Sequence, residues 1–462
     1  MWIKKLQKIS FKKSYGYMVF LMCLLYLLNF LIESRFIQNI FGIIVFLVFL
    51  TSLLKANKLL SLFSSLMFLT GALVIFINGE GNDEFIRGIQ TNVPVLAVML
   101  LAPLLSIPFR LGGYFEPFQK YLLKIYKNPS KFFFVTTIFI FFVGPIMSIG
   151  VITVLHELIK GFKVKPELLA KSYLGGYSTV VIWSPYHSSV ALVLYYLNVS
   201  VRDYLPLSLG LALLFLFTLN GLFLITKKNQ SDLIKVKYAH KASKITHKNS
   251  LVKLLFLVIL LICSLFTIEY ITKWPMVFVV TLTAVVFPYI WSVFQRKFKD
   301  TREEYKNSIK ELGVKANNEI ILFISAGIFG IALKNASIMQ HFQLLLGNVY
   351  DKSYIIFMVF IILIILVFTF IGIHQVVIVT ALILQIEPNA MEASAEVLAL
   401  LFMLSWSMSA VLSPVNPLNL VVSQLVNRSG LIIGAKQNGL YLLIMMLIGC
   451  SYVYTLHLFI DG

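Results

Sequence analysis

KFFFVTTIFIFFVGPIMSIGVITVLHELIK, residues 131–160, and YIIFMVFIILIILVFTFIGIHQVVIVTALILQI, residues 354–386, are the two stretches on which the fold turns. The apolar part of the first, Phe132 to Ile159, follows Lys120, Lys124, Lys127 and Lys131 and precedes Lys160, Lys163, Lys165 and Lys171. By the positive-inside rule both of its ends are cytoplasmic. The second follows Asp351 and ends at Glu387 and Glu392 in lysine-poor surroundings, so both of its ends are expected outside. A single crossing cannot return to the side it left. Two re-entrant helical hairpins, entering from opposite faces with their tips near mid-membrane, satisfy both sets of charges.

The rest of the chain supports a polytopic setting for them. Of 462 residues, 59% are hydrophobic and 13% charged, and runs long enough to span a bilayer recur throughout. The formal charge of +19 would suggest nucleic acid in a soluble chain. Here the lysines gather between spans, five in Met1–Lys13 and eight in Lys227–Lys253 against the single acid Asp232. That is a topology signal with attraction to anionic lipid as a by-product, and no nucleic-acid partner is expected. Cys23, Cys263 and Cys450 lie in separate apolar spans, with neither metal spacing nor a disulfide framework. Tyr15–Ile32 is long enough to span, and Glu33-Ser34-Arg35 offers no small-residue cleavage site, so the first apolar run reads as a retained helix.

Counting crossings places spans near 15–33, 36–54, 58–78, 91–108, 172–198, 205–226, 251–270, 275–294, 319–337, 395–427 and 438–460. The expected fold is an all-α polytopic membrane protein with about eleven transmembrane helices and two re-entrant hairpins, multi-pass in the cell membrane. Its amino terminus is expected in the cytoplasm and its carboxyl terminus outside. Residues 295–318, with seven basic and four acidic side chains, read as a helical cytoplasmic connection. Sliding the chain by 229 residues lays Thr91–Pro108 on Ile320–Ser337, the first hairpin largely on the second, Ser184-Pro185 on Ser413-Pro414 and Asn198 on Asn427. Because the hairpins open to opposite sides, this is expected to be an inverted repeat. The organisation is then residues 1–35 as a basic segment and first helix, and 36–226 as repeat 1 with the inward-opening hairpin 132–159. Residues 227–250 form a basic cytoplasmic linker, and 251–462 repeat 2 with the outward-opening hairpin 354–386.

Chemistry concentrates where helices must break. Trp183-Ser184-Pro185-Tyr186-His187-Ser188-Ser189 interrupts one span, and Ser413-Pro414-Val415-Asn416-Pro417-Leu418-Asn419 interrupts its counterpart. A kinked packing helix with small residues at its contacts is the plainer alternative. The hairpin tips fall at Gly144-Pro145-Ile146-Met147-Ser148 and Thr369-Phe370-Ile371-Gly372-Ile373-His374-Gln375. Helix ends at tips and breaks expose carbonyls that attract cations and amides that attract anions, without ionised side chains. No charge occurs between Lys171 and Arg202 or between Glu396 and Arg428. The candidate substrate-binding residues are Ser148, Ser184, His187, His374, Gln375, Ser413, Asn416 and Asn419. The candidate cation-binding residues are Gly144, Thr179, Ser184, Thr369, Ser409 and Ser413. His187 and His374 are either proton carriers or neutral packing residues. Lys334 either snorkels to the outer interface or contacts an anion.

At Gly175-Gly176-x-x-Thr179 leading into Ser184-Pro185, and at the Ser413–Asn419 segment, the chain resembles the ion transporter superfamily. That superfamily includes sodium-coupled dicarboxylate and citrate carriers, arsenite permeases and some sodium/proton antiporters. The resemblance covers roughly residues 36–460. It implies substrate and sodium held between hairpin tips and broken helices, an elevator-type shift of that core, and a homodimer. Where the carboxylate branch carries Ser-Asn-Thr at each tip, this chain has Ile146-Met147-Ser148 and Ile373-His374-Gln375. The expected function is secondary transport of a small anion, an organic carboxylate in the first instance, coupled to sodium or protons, with no resident cofactor or metal and no catalytic residue. A sodium/proton antiporter of the same architecture is the alternative. A membrane enzyme acting on lipid-linked sugars should show carboxylates or arginines clustered in a long exterior loop, and only Glu387, Glu392 and Glu396 approach that.

Overall fold

Proline, asparagine and serine punctuate a chain that is otherwise almost continuously helical. The computed structural model describes residues 2–79, 81–226, 234–236, 250–334, 337–386 and 393–460. Most of the basic linker 227–250, Glu387 and Glu392, and the side chain of Lys334 lie outside the described residues.

The amino-terminal part runs through α1 (Trp2–Ile32), α2 (Arg35–Leu53), α3 (Lys58–Ile77), α4 (Gly81–Gln90) and α5 (Val93–Leu101). A 3-10 turn (Ala102–Ser106) and α6 (Ile107–Leu111) follow. Next come α7 (Phe115–Ile125), α8 (Pro129–Met147), α9 (Gly150–Leu158), β1 (Phe162–Val164), α10 (Pro166–Trp183), α11 (Ser188–Leu197) and α12 (Val201–Ile225). The second half holds β2 (Ile234–Val236), antiparallel to β1, then α13 (Ser250–Thr272), α14 (Met276–Phe294), α15 (Phe298–Lys315) and α16 (Asn317–Lys334). It closes with α17 (Ser337–Lys352), α18 (Tyr354–Ile371), α19 (Gln375–Ile383), α20 (Ala395–Leu412), α21 (Pro417–Val426), a π-helical turn (Ile432–Lys436) and α22 (Gln437–Ile460).

Among the described residues twelve helices are long and apolar enough to cross a membrane, or thirteen if the pair α15 and α16, bent by 61°, is counted as one span. The chain is therefore built as an all-α, multi-pass membrane protein. Within the twelve are ten of the eleven expected spans and the first arms of both expected hairpins, α8 and α18, while the eleventh, expected near 319–337, falls on α16 of the bent pair. The span expected at 91–108 is longer, Gly81–Leu111, because α4 continues it beyond its polar first turn. The arms α9 and α19 have nine residues each. At 1.5 Å per residue such an arm reaches about 14 Å, half the hydrocarbon thickness.

Contacts divide the chain into two compact units, and each draws on both halves of the sequence. The first comprises Met1–Pro108, Trp274–Gly347 and Val379–Glu387. In it α16 packs along α3 and α4, where glycines allow the backbones to touch. A β-carbon on Gly327 would sit 2.8 Å from the Gly88 carbonyl oxygen. Asn92 Nδ2 donates to the Phe323 carbonyl at 2.9 Å, tying α5 to α16.

The second unit comprises Phe109–Lys273, Asn348–Ile378 and Pro388–Gly462. Its centre is α10 and α20, buried on all sides of the helix from Leu168 and from Val397 onward, Lys171 and the terminal Leu412 excepted. All-round burial is the signature of a core helix rather than of a lipid-facing one. Around them lie α8, α12, α18 and α22. Asn128 caps α8 by accepting from the Lys131 amide, and Ser394 caps α20 by accepting from the Val397 amide, at 3.1 and 3.4 Å.

Candidate functional site

Two helical breaks of the same construction lie in the second unit. In the first, α10 ends at Trp183 and α11 begins at Ser188; in the second, α20 ends at Leu412 and α21 begins at Pro417. The paired helices have equal lengths, 18 residues for α10 and α20 and ten for α11 and α21. Proline follows the C-cap serine in each case, so neither helix can simply continue. Both short helices end on an asparagine in the left-handed region, Asn198 at φ 52° and Asn427 at φ 51°. Asparagine tolerates that conformation better than most residues.

Each break is tied to a turn between two helices, that of α8 and α9 or that of α18 and α19. Ser413 Oγ donates to the Thr369 carbonyl at 2.8 Å, and Ser184 Oγ approaches the Pro145 carbonyl at 3.5 Å, the limit of a hydrogen bond. The turn between α8 and α9 passes through Ser148, held at φ 52°. That between α18 and α19 passes through Gly372 at φ 114°. Gly144 brings α8 close to α10, since a β-carbon there would lie 2.9 Å from Val180 Cγ2. Its carbonyl accepts from the Ser148 amide at 2.8 Å.

Of the residues that cap α11 and α21, Asn416 reaches its turn directly and His187 reaches its turn through Tyr177. His187 caps α11, its Nδ1 accepting from the Ser189 amide at 3.4 Å and lying 2.8 Å from Ser189 Oγ. An accepting Nδ1 puts the proton on Nε2, which is 2.9 Å from the Tyr177 hydroxyl. Tyr177 in turn lies 3.2 Å from Ser148 Oγ. A hydrogen-bonded chain thus runs from the first break to the turn between α8 and α9. At the second break Asn416 caps α21 by accepting from the Leu418 amide at 2.9 Å, and its Nδ2 donates to Gln375 Oε1 at 2.8 Å. Gln375 Nε2 donates to the Trp406 carbonyl at 2.9 Å and to Ser409 Oγ. His374, at the same turn, accepts from the Val376 amide through Nδ1 at 3.3 Å.

The two breaks belong to one packed set of helices, because α10 lies against α20 and α21, and α11 against α20. Ser407 Oγ donates to the Ser178 carbonyl at 2.7 Å, across a separation of 229 residues. Ser178 Oγ donates to the Gly175 carbonyl and accepts from the Tyr441 hydroxyl at 3.1 Å.

Other candidate residues are engaged locally. Thr179 Oγ1 donates to the Gly176 carbonyl at 2.7 Å, Thr369 Oγ1 to the Ile365 carbonyl at 2.6 Å, and Ser409 Oγ to the Trp406 carbonyl at 3.0 Å. Asn419 Nδ2 donates to the Val411 and Gly430 carbonyls at 2.8 and 3.2 Å, so its amide nitrogen repairs the end of α20. Its Oδ1 is buried without a partner. Tyr204 does for the first break what Asn419 does for the second, donating to the Ile182 carbonyl at 2.5 Å.

Tyr177, Ser178 and Ser407 are the residues that sequence reasoning left out. Ser178 and Ser407 each stand six positions before a Ser-Pro pair, a signal visible in the sequence. Tyr177 gave no such signal, because its role depends on the rotation of α10 toward His187. Ser148, His187, His374 and Asn416 are half-buried, while Ser184, Gln375 and Ser413 are buried. The arrangement offers hydroxyl, amide and helix-end dipoles with no formal charge on the breaks or turns, a setting suited to a small dehydrated ion. No protein-family model matches the chain, and no curated protein matches it.

Proposed function

We propose that the chain is a secondary active transporter that moves a small anion, an organic carboxylate in the first instance, coupled to sodium or protons. The observation that carries this reading is the double stitching just described. Each of two interrupted helices is joined to a neighbouring turn by its C-cap serine and by its N-cap side chain, directly from Asn416 to Gln375 and from His187 through Tyr177 to Ser148. Structural kinks need no such matched pair, whereas a carrier needs two half-sites that can be presented to either side. The arms α9 and α19, too short to cross, support re-entrant hairpins rather than ordinary helix pairs. The equal spacing of breaks, caps and left-handed asparagines supports an inverted repeat. Lysines on both ends of the first hairpin support a cytoplasmic opening and amino terminus.

In this reading the amino ends of α11 and α21, with Ser148 and Asn416, receive the anion. The second unit, which holds both interrupted helices, is the mobile part of an elevator-type cycle, as the resemblance to the ion transporter superfamily implies. Two observations bear on the coupling ion. Asn419 Oδ1, buried and unpaired beside the second break, is an oxygen that a sodium ion would satisfy. His187, by contrast, stands where the other half uses Asn416 for the same capping role. Capping therefore does not explain the choice of a titratable ring, which favours a proton and keeps the sodium/proton antiporter as the second reading.

Uptake into proteoliposomes, with a panel of anions and with sodium and pH gradients imposed separately, tests the proposal. Accumulation of an anion under one gradient is expected. Accumulation under neither removes the symport reading, and sodium-driven proton movement without any anion selects the antiporter.

A further inference from the structure

An apolar groove of about 230 Å³ lies away from the breaks, between α7, α8 and α13. Phe118 and Tyr121 on α7, Val135, Ile138 and Phe142 on α8, and Leu254 on α13 line it. The volume suits a segment of one acyl chain. In a bilayer an apolar wall alone selects nothing, since any lipid tail can cover it; selection must come from the head group.

All three elements that form the groove carry a lysine within one turn of a lining residue. Lys124 follows Tyr121 by three positions on α7, Lys131 precedes Val135 by four on α8, and Lys253 immediately precedes Leu254 on α13. The three are exposed, and among the described residues none of them makes an ion pair. No acidic residue occurs in 117–156 or in 250–268, so nothing nearby on these elements neutralises them. The α7 helix is itself amphipathic, with Phe118 and Leu122 buried and Tyr121 and Lys124 exposed, as interfacial helices are.

From this juxtaposition we infer that the groove is a site for one anionic phospholipid of the bilayer, its acyl chain between α7, α8 and α13 and its phosphate on Lys124, Lys131 and Lys253. The lining residue Phe142 stands six positions before Ser148, through which α8 turns into α9. An occupant therefore packs against the arm that carries that turn, and the lipid is placed to steady it.

The test needs no transport substrate, so its outcome is independent of the transport proposal. The full-length protein, delipidated in detergent, is titrated with phosphatidylglycerol or phosphatidylcholine of the same chains, and bound lipid is counted by native mass spectrometry. One tightly held phosphatidylglycerol is expected, with a preference over phosphatidylcholine of about tenfold or more from three lysines near the phosphate. The triple variant Lys124→Gln, Lys131→Gln, Lys253→Gln should lose the preference. Ile138→Trp, which fills the groove, should lower retention of both lipids. Val135→Phe serves in its place if that variant does not yield a monodisperse, helical protein. A phosphatidylglycerol with a photoactivatable acyl chain should cross-link to peptides containing residues 132–143 or 254–255. Equal retention of the two lipids by the wild type, an unchanged preference in the triple variant, or cross-links confined to other helices would each overturn the inference.

Discussion

Replacing Asn416 with alanine should loosen the second break far more than an ordinary change at a half-exposed position. Two hydrogen bonds are lost. The first is the cap on the Leu418 amide at 2.9 Å, and removing such a cap costs about 1 kcal/mol. The second is the donor to Gln375 Oε1 at 2.8 Å. Gln375 is only 5% exposed, so its oxygen would be left buried and unpaired at a cost of about 1–3 kcal/mol. The sum, about 2–4 kcal/mol, falls on the contact between α21 and the turn before α19 and not on the whole fold. At about 1.4 kcal/mol per factor of ten, the local opening should become about 30- to 700-fold more frequent. Hydrogen exchange at the amides of Leu418 and Leu420 reads this directly, in detergent and without a known substrate. Asn416→Ser should recover the cap and leave the Gln375 loss. Asn416→Asp should likewise keep the cap and lose the donor to Gln375, and it sets a carboxylate beside the proposed anion site, so uptake should fail while protection from exchange at Leu418 stays no lower than in Asn416→Ser. Exchange in Asn416→Ala within threefold of wild type, together with normal uptake, would show that Asn416 neither ties the turn nor serves the site.

At Gly434, in the π-helical turn, a β-carbon would meet the Val411 and Leu412 carbonyl oxygens at 2.6 and 2.9 Å and Asn419 Nδ2 at 2.8 Å. Gly434→Ala should therefore cost about 1–3 kcal/mol in thermal unfolding, whereas Gly439→Ala, with nothing within 4 Å, should be neutral or stabilising. His187→Asn should preserve the α11 cap, as Asn416 does for α21, while uptake driven by a pH gradient falls to its level without one. Persistence of pH-driven uptake would acquit His187 as the proton carrier. Single cysteines at Lys127 and Lys165, in a background with Cys23, Cys263 and Cys450 replaced by serine, should both label from the cytoplasm, and a pair at Lys352 and Ser394 only from outside. Labelling of either pair from two different sides would break the hairpin reading.

Much of this architecture was legible because it is written locally. Hydropathy along the chain placed most spans within a few residues, since burial in a bilayer is set by the side chains of one helix, but it missed the ten-residue extension of the span at 91–108 through α4. Ser184-Pro185 and Ser413-Pro414 marked the interruptions because proline acts on its own backbone, and the structure ends α10 and α20 one residue before each pair. Gly372 marked a turn for the same reason, having the positive φ that a glycine accepts without strain.

The partners of these groups were not written locally. That Tyr177 reaches both His187 and Ser148, that Ser407 meets the Ser178 carbonyl, and that Asn416 finds Gln375 follow only from how α10, α20 and the hairpins pack. The same holds for Asn419, whose nitrogen is spent on the Val411 and Gly430 carbonyls. Hydrogen bonds between side chains far apart in the chain depend on helix rotation and approach to within a fraction of an ångström, which side-chain identity does not specify. Segment-level features, the spans, turns and breaks, were thus decided by residue type and order. The polar connections that join them into a site were decided by tertiary packing.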